Sequence, residues 1–234
     1  MRICAYLPIY KRKGLVVETL YRLKSQTQAL DRIVAVGSCQ EDKETAEQCG
    51  VDYISFSNQP LSTKIQQAVI YLRRFKPDGI MGIGSDDWPT ANWVEELSPY
   101  LEKFDVVGTD RLYFCRHGSR PVELIQYRYP PPRYGEPMGV GRLVSRRILD
   151  KLKWRLYPGG LRHGLDGASH RRMMLVKAKT FLYKADVAKI LCPKGLPNQL
   201  TTWVHGVRPD HGKKIQDDTW LQTNFPGLEE KGLI

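Results

Sequence analysis

Residues 80–89, Ile80-Met81-Gly82-Ile83-Gly84-Ser85-Asp86-Asp87-Trp88-Pro89, hold a short apolar run that ends in two adjacent carboxylates and a Trp-Pro stop. The run reads as a buried strand, and the stop marks its C-terminal end. In open α/β sheets, ligands bind outside the carboxyl ends of the strands. Two neighbouring acids repel, so leaving both unpaired there is costly. A divalent cation removes that cost, and a hard oxygen donor set suits Mg²⁺ or Mn²⁺. The same residues admit a plainer reading, in which Asp87 caps a helix starting near Pro89 and Asp86 is solvated.

Working outward, the first hundred residues alternate strand and helix signals. Strands are expected at Ile3–Pro8, Arg32–Val36, Asp52–Phe56, Gly79–Ile83 and Asp105–Gly108. Between them the periodicity predicts helices over Val16–Gln26, Glu41–Cys49, Ser62–Phe75 and Pro89 to about Phe104. This rhythm implies an α/β fold with a mostly parallel central sheet and helices on both faces. The second half is different. It has an aromatic, proline-rich loop over Tyr127–Gly135, a helix expected over Leu143–Leu152, a Gly-rich stretch from Pro158 leading into a helix over Gly167–Met174, and a strand region over Phe181–Ile190. From Pro193 onward the chain reads as irregular. No internal repeat or linker divides it, so residues 1–234 are taken as one domain, with a first half to about residue 110 and a second half after it.

Composition narrows the class. The chain has 234 residues, 41% of them hydrophobic, which is enough for a substantial core and excludes disorder. No apolar run reaches the length of a membrane span. The run after Met1-Arg2 is too short for a signal peptide and is broken by Pro8. Five scattered cysteines without CxxC spacing argue against zinc and against a disulfide framework, and a reducing, cytoplasmic setting is expected. The phosphate-loop patterns GxGxxG and GxxxxGK[ST] are absent, which disfavours dinucleotide and P-loop enzymes. A net charge of +11 favours anionic partners, and much of the excess lies after residue 110.

With strand order and acids in place, the first half resembles the GT-A glycosyltransferases of the family-2 type. Leu7-Pro8-Ile9-Tyr10-Lys11-Arg12 is similar to the family's first-strand motif, apolar-Pro-x-Tyr-Asn-Arg. Ile33–Val36 and the polar turn through Asp42 resemble its second strand and nucleotide-binding turn. Asn58–Lys64 resembles the loop and helix start after the third strand, and Gly84-Ser85-Asp86-Asp87-Trp88 resembles the metal motif called DxD, usually Asp-x-Asp-Asp. The likeness covers residues 1–110 and thins to short islands afterwards; the length matches the small, compact members found in bacteria and large DNA viruses. There are two departures. Gly84 stands where the first acid of the metal motif usually is, and Gly37-Ser38 stands where an acid often follows the second strand.

The resemblance implies a GT-A fold with an irregular C-terminal acceptor region. It implies a hexosyltransferase-type enzyme that moves a sugar from a nucleotide-diphosphate donor, UDP-linked, to a glycan or glycoconjugate hydroxyl with inversion. Mn²⁺ or Mg²⁺ would be held by Asp86, with Asp87 as a further ligand, a water-mediated one or a sugar contact. Pro8, Tyr10 and Arg12 would line the nucleoside pocket, Tyr10 by stacking and Arg12 by reaching phosphate. Lys64, at a helix start, would meet phosphate or base; alone it reads equally as a surface lysine. Asp166 in His163–Arg172 would be the base that deprotonates the acceptor, although its position also suits an N-cap. Glu123, Glu136 and Asp150 are less well placed. His205, ahead of His211, would complete the metal shell, and Arg208, Lys213 and Lys214 read equally as a lid over the diphosphate or as a solvated basic face. A nucleotidyltransferase, and a non-catalytic basic module for nucleic acid or acidic glycan, remain as alternatives. The transferase reading needs no nucleic-acid partner and leaves peripheral membrane contact through the basic second half open.

Overall fold

The structure, a computed structural model, describes residues 1–119, 122–195, 212–215, 219–228 and 232. Its strands are β1 (Ile3–Pro8), β2 (Arg32–Gly37), β3 (Asp52–Ser55), β4 (Gly79–Gly82), β5 (Trp88–Pro89), β6 (Val106–Thr109), β7 (Arg111–Arg116), β8 (Leu124–Arg128), β9 (Leu143–Ser145), β10 (Thr180–Tyr183), β11 (Ile190–Lys194) and β12 (Gly212–Lys214). Its helices are α1 (Lys13–Lys24), α2 (Gln40–Gln48), α3 (Leu61–Leu72), α4 (Trp93–Leu97), α5 (Arg146–Lys151), α6 (Leu165–Leu175) and α7 (Trp220–Asn224), with short 3₁₀ turns after α3 and α4.

Among the described residues, seven strands form the central sheet in the order β10-β6-β9-β4-β1-β2-β3. The pairs β1/β2, β2/β3, β1/β4 and β10/β6 are parallel, and β9 runs antiparallel to both β4 and β6. Side chains of β1 alternate between the two faces of the sheet, as the pleat requires. Ile3, Ala5 and Leu7 pack with Val16, Leu20 and Leu23 of α1 and Val94 and Leu97 of α4. Cys4 and Tyr6 pack with Ile65, Val69 and Leu72 of α3 and Ile148 and Leu149 of α5. The expected mostly parallel sheet, covered by helices on both faces, is therefore the observed one. A second sheet, β12-β8-β7-β11-β5, is built mainly from the second half.

Strands β7, β8 and β12 and helix α7 form where the sequence predicts no regular element, and two expected elements take another form, each for a packing reason. No helix begins at Pro89. Trp88, fully buried against Leu191, draws Trp88-Pro89 into an antiparallel bridge with Ile190 and Leu191, and α4 starts only at Trp93. Pro89 is tolerated because β5 is an edge strand of its sheet. Likewise, Leu143–Ser145 is a strand and not the first turn of a helix. Leu143 belongs to one core face and Val144 to the other, a period of two. Ser145 then caps α5, accepting a hydrogen bond from the Ile148 amide.

Gly141 ties these parts together. Its amide donates to the Gly82 carbonyl at the end of β4 (2.7 Å), and its carbonyl accepts from Trp93 Nε1 (3.0 Å). The backbone there has φ +66°, and an added Cβ would meet Ile190 Cδ1 and Trp93 Nε1. Gly141→Ala is thus expected to combine left-handed backbone strain with overpacking and to lower the unfolding free energy by about 2–5 kcal/mol. Urea denaturation measures this; a loss within error of zero would mean that the junction yields freely.

Candidate functional site

β1 and β4 lie side by side and parallel, and both end at one cavity of about 540 Å³. After β1, Lys11 and Arg12 both take left-handed backbone conformations (φ 56° and 58°). Asp42 in the first turn of α2 holds that bend: one carboxylate oxygen accepts from the Lys11 amide (2.7 Å), the other from the Ser38 amide (2.9 Å). The bend aims Arg12 at the turn after β4. Arg12 Nη2 donates to Ser85 Oγ (2.9 Å), and Nη1 lies 3.5 Å from Asp86 Oδ2. Asp42, in the turn that the resemblance assigns to nucleotide binding, acts structurally here. Gly37 is glycine because a Cβ would overlap Asp42 and the Tyr53 ring.

Asp86 and Asp87 sit in different environments. Asp86 faces the cavity and has a second cation in Lys194 Nζ, 3.8 Å from its Oδ2. Asp87 is buried, and its Oδ2 accepts from the Gly84 amide (3.0 Å). Burial pushes the Asp87 carboxyl well above the usual carboxylate range, and the adjacent Asp86 charge pushes it further. The Cys192 thiol, kept protonated by burial and by the charge of Asp87, hydrogen-bonds it. A Cβ on residue 84 would overlap Asp87 Oδ2, which is why glycine replaces the acid usual at this point. Asp87 does not cap α4, whose N-cap is Asn92. Lys194 closes the arrangement from β11, under the Phe114 ring face at 5.0 Å. Burial alone would lower its pKa, but the charges of Asp86 and Asp87 outweigh this and hold the ammonium charged.

Lys64, in the first turn of α3, is fully buried and not a surface lysine. Its Nζ donates to the Ile9 carbonyl (2.5 Å) and to Asn58 Oδ1 (3.0 Å), and desolvation brings its pKa down to about 8. Pro8 and Tyr10 line the same cavity. On the opposite wall Asp166 lies in the first turn of α6, two residues beyond the N-cap Gly164, so it is not itself the cap. Tyr129, kept protonated by burial and by the charge of Asp166, donates to Asp166 Oδ2 (2.7 Å). Asp166 also borders an adjoining compartment of about 490 Å³ that carries Arg133, Tyr157 and His163.

Pro8, Tyr10, Arg12, Lys64, Asp86, Asp87 and Asp166 therefore share one cavity. His205, His211 and Arg208 lie outside the described residues. Lys213 and Lys214 pair with β8 as strand β12, so they form sheet and not a lid. Glu123, Glu136 and Asp150 are engaged with Arg116, Arg133 and Arg146. The sequence reading missed Lys194, Asn58 and the Tyr129 contact. Asn58 stood within the Asn58–Lys64 motif without a role of its own, and Lys194 left a trace as a cation at the end of an apolar run. As ligands for a hard dication, Asp86 and Asp87 supply oxygen donors on adjacent residues. Both line the cavity, and a dication there would relieve the repulsion between their charges, so the donor set fits Mg²⁺ or Mn²⁺. Among the described residues no group of three or more His, Cys, Asp or Glu converges on one point.

No protein-family model and no curated protein matches this sequence. Solved structures do match in shape. Staphylococcus aureus TarS 1–349 superposes with a TM-score of 0.62 at 13% identity, over 82% of this chain and 60% of that one. The same protein in complex with UDP-GlcNAc gives 0.62 at 14% identity, over 84% and 59%. The mannosyltransferase PcManGT from Pyrobaculum calidifontis, in complex with GDP-Man and Mn²⁺, gives 0.55 at 14%, over 85% and 58%. This chain spans about 60% of the length of those structures. Identity this low speaks for architecture alone: the chain shares the GT-A fold of these structures. Among the described residues no helix is long and apolar enough to cross a membrane.

The raised pKa of Asp87 has a measurable consequence. The native state keeps a proton on this carboxyl above the unfolded value of 3.8, so stability falls as pH rises from there through the raised native value. Asp87→Asn should flatten the fall in melting temperature across that window while keeping an acceptor for the Gly84 amide. A variant profile parallel to wild type would show that Asp87 does not carry the dependence.

Proposed function

We propose that this chain is a glycosyltransferase that moves a sugar from a nucleotide-diphosphate donor, UDP-linked, to a hydroxyl of a glycan or glycoconjugate. The observation that carries the reading is the shared cavity, with cations and carboxylates at the ends of β1 and β4 and a tyrosine-held carboxylate opposite. The UDP-GlcNAc and GDP-Man complexes of its structural neighbours support a nucleotide-sugar donor. Tyr10 and Pro8 would line the nucleoside, and Arg12, Lys64 and Lys194 would face the diphosphate. Asp86, with Asp87 beside it, would hold Mg²⁺ or Mn²⁺, which when bound neutralises charge on a diphosphate.

Asp166 takes the proton from the acceptor hydroxyl. The acceptor oxygen forms a bond to the anomeric carbon, and the bond from that carbon to the diphosphate oxygen breaks, so the nucleoside diphosphate leaves with the electron pair. Attack opposite the leaving group inverts the anomeric centre. Fixed cations around the diphosphate stabilise the charge that develops as it leaves. The adjoining compartment beside Asp166 is the place for the acceptor.

The first test is thermal shift with UDP, GDP and their sugars, each with Mn²⁺ and with chelator. A ligand at about 100 times its Kd adds about 2.7 kcal/mol, a rise of several degrees for a chain this size. Wild type should show a metal-dependent rise for one nucleotide sugar, and Asp86→Ala should lose it; no rise with any of them removes the reading. Release of pyrophosphate from a nucleoside triphosphate would point to nucleotidyl transfer instead. Asp166→Asn should keep the donor-induced shift and lose transfer by about 10²–10⁴-fold.

Lys64 yields a pH prediction. Its ammonium, with a pKa of about 8, is charged below that value and neutral above it. Diphosphate affinity should therefore weaken as pH rises through about 8, and Lys64→Met should abolish that step along with part of the affinity. Titration calorimetry of UDP across the range reads it, and an identical step in the variant would assign it elsewhere.

A further inference from the structure

The second half carries a patch that the catalytic reading does not use. From Lys151 to Lys179 the chain has eight lysines and arginines against a single acid, Asp166, which Tyr129 holds in the cavity. None of the eight is in an ion pair within 4 Å among the described residues, whereas Arg111, Arg116, Arg133, Arg146 and Arg147 are. The patch centres on the C-terminal end of α6. There Leu175 is 83% exposed, the most of any large apolar side chain among the described residues, and Met174 beside it is 44% exposed. Cations surround the pair. Arg171 is exposed one turn earlier, Lys177 follows in the turn whose amide donates to the Met174 carbonyl (2.9 Å), and Arg172 Nε donates to the Arg155 carbonyl (3.0 Å), which brings exposed Arg155 alongside. A shallow groove between α6 and Pro158–Leu161 continues the apolar surface.

We propose that this end of α6 docks on an anionic lipid bilayer, with Leu175 and Met174 entering the headgroup boundary and the surrounding lysines and arginines meeting acidic headgroups. An apolar wedge inside a ring of unpaired cations is what interfacial attachment requires, because apolar burial and attraction to acidic lipid act together. A second copy of this chain is a poor occupant, since two such faces repel. A polynucleotide would satisfy the cations and leave Leu175 and Met174 exposed, and among the described residues the groove has no Phe, Tyr or Trp for stacking. The inference stands apart from the catalytic reading. It has one consequence for it: α6 begins at Asp166's compartment and ends at the patch, so the bilayer would lie about 15 Å from the acceptor side of the cavity.

The test is co-sedimentation of the full chain with vesicles of phosphatidylcholine alone and of phosphatidylcholine mixed two to one with phosphatidylglycerol. Two double variants go with it: Leu175→Ser with Met174→Ser, and Arg171→Glu with Lys177→Glu. All four positions are exposed, so melting temperatures should match wild type. Wild type should bind only the acidic vesicles and release as salt rises from about 0.1 M to about 1 M, where screening shortens to about 3 Å. Each double variant should lower partitioning by about tenfold or more. Wild type that stays in the supernatant with acidic vesicles would overturn the proposal, and so would full retention of vesicle binding by both variants. Duplex DNA that displaces the vesicles and binds the serine variant as tightly as wild type would make the patch a polynucleotide surface and also overturn it. Nucleotide-sugar binding to the same preparation is measured separately, so failure of one reading leaves the other standing.

Discussion

Two acids on consecutive residues at the end of a buried strand create an electrostatic constraint, and much of the surrounding structure answers it. Asp87 meets it by burial, taking the Gly84 amide and the Cys192 thiol as hydrogen-bond donors and favouring its protonated form. Asp86 meets it with cations from two directions, Arg12 from the bend after β1 and Lys194 from β11. Each answer has its own structural support. Arg12 reaches Asp86 because Asp42 stabilises two consecutive left-handed residues, conformations that cost of order 1–3 kcal/mol each when unsupported. Lys194 is held in place by β11, which pairs with β7 at Lys194 itself and with β5 at Ile190 and Leu191, and the two acids keep its ammonium charged. The second sheet therefore brings a counter-charge to an acid of the first.

The opposite wall follows a related rule with a different outcome. Asp166 is held by one strong donor, Tyr129, and a Cβ on Gly139 would overlap it, so its carboxylate has little freedom to turn. A carboxylate fixed in orientation but open to a cavity is suited to receiving a proton from a ligand that arrives in one pose. Tyr129 is itself fixed, with Arg133 3.8 Å from its ring centre and Arg133 in turn paired with Glu136 at 2.8 Å. The aromatic, proline-rich loop thus contributes to the position of Asp166 as well as to the wall of the acceptor compartment.

The first half was legible in the sequence because its helices are long enough for periodicity to show and its strands end at clear stops. The resemblance to family-2 GT-A enzymes then assigned the residues at those ends, Pro8, Tyr10, Arg12, Asp86 and Asp87, to one site. Shorter elements could not. β5 has two residues and β9 three, and in each the deciding factor is a distant partner: Leu191 for Trp88, and both core faces at once for Leu143 and Val144. Lys194 and Tyr129 were hidden for the same reason, since nothing local in Cys192-Pro193-Lys194 or Tyr127–Tyr129 shows which carboxylate lies across the cavity. Asn58 was quoted within a motif, yet its role as acceptor for a buried lysine depends on the burial of Lys64, which the sequence left open.

The placement of β9 also bears on how the chain is made. β9 is the antiparallel strand between β4 and β6, so the two strands that leave the ribosome early have no partner on their facing edges until residues 143–145 have emerged. Until then the nascent chain exposes the apolar edge of β4 next to the cavity, a template for wrong pairing. Contacts this distant in sequence also slow folding, because loop closure comes before the pairing that rewards it. β9 thus closes the centre of the sheet before the edge strand β10 and the cavity residues Asp166, Cys192 and Lys194 have been made, so the sheet is joined across its middle before its cavity is complete.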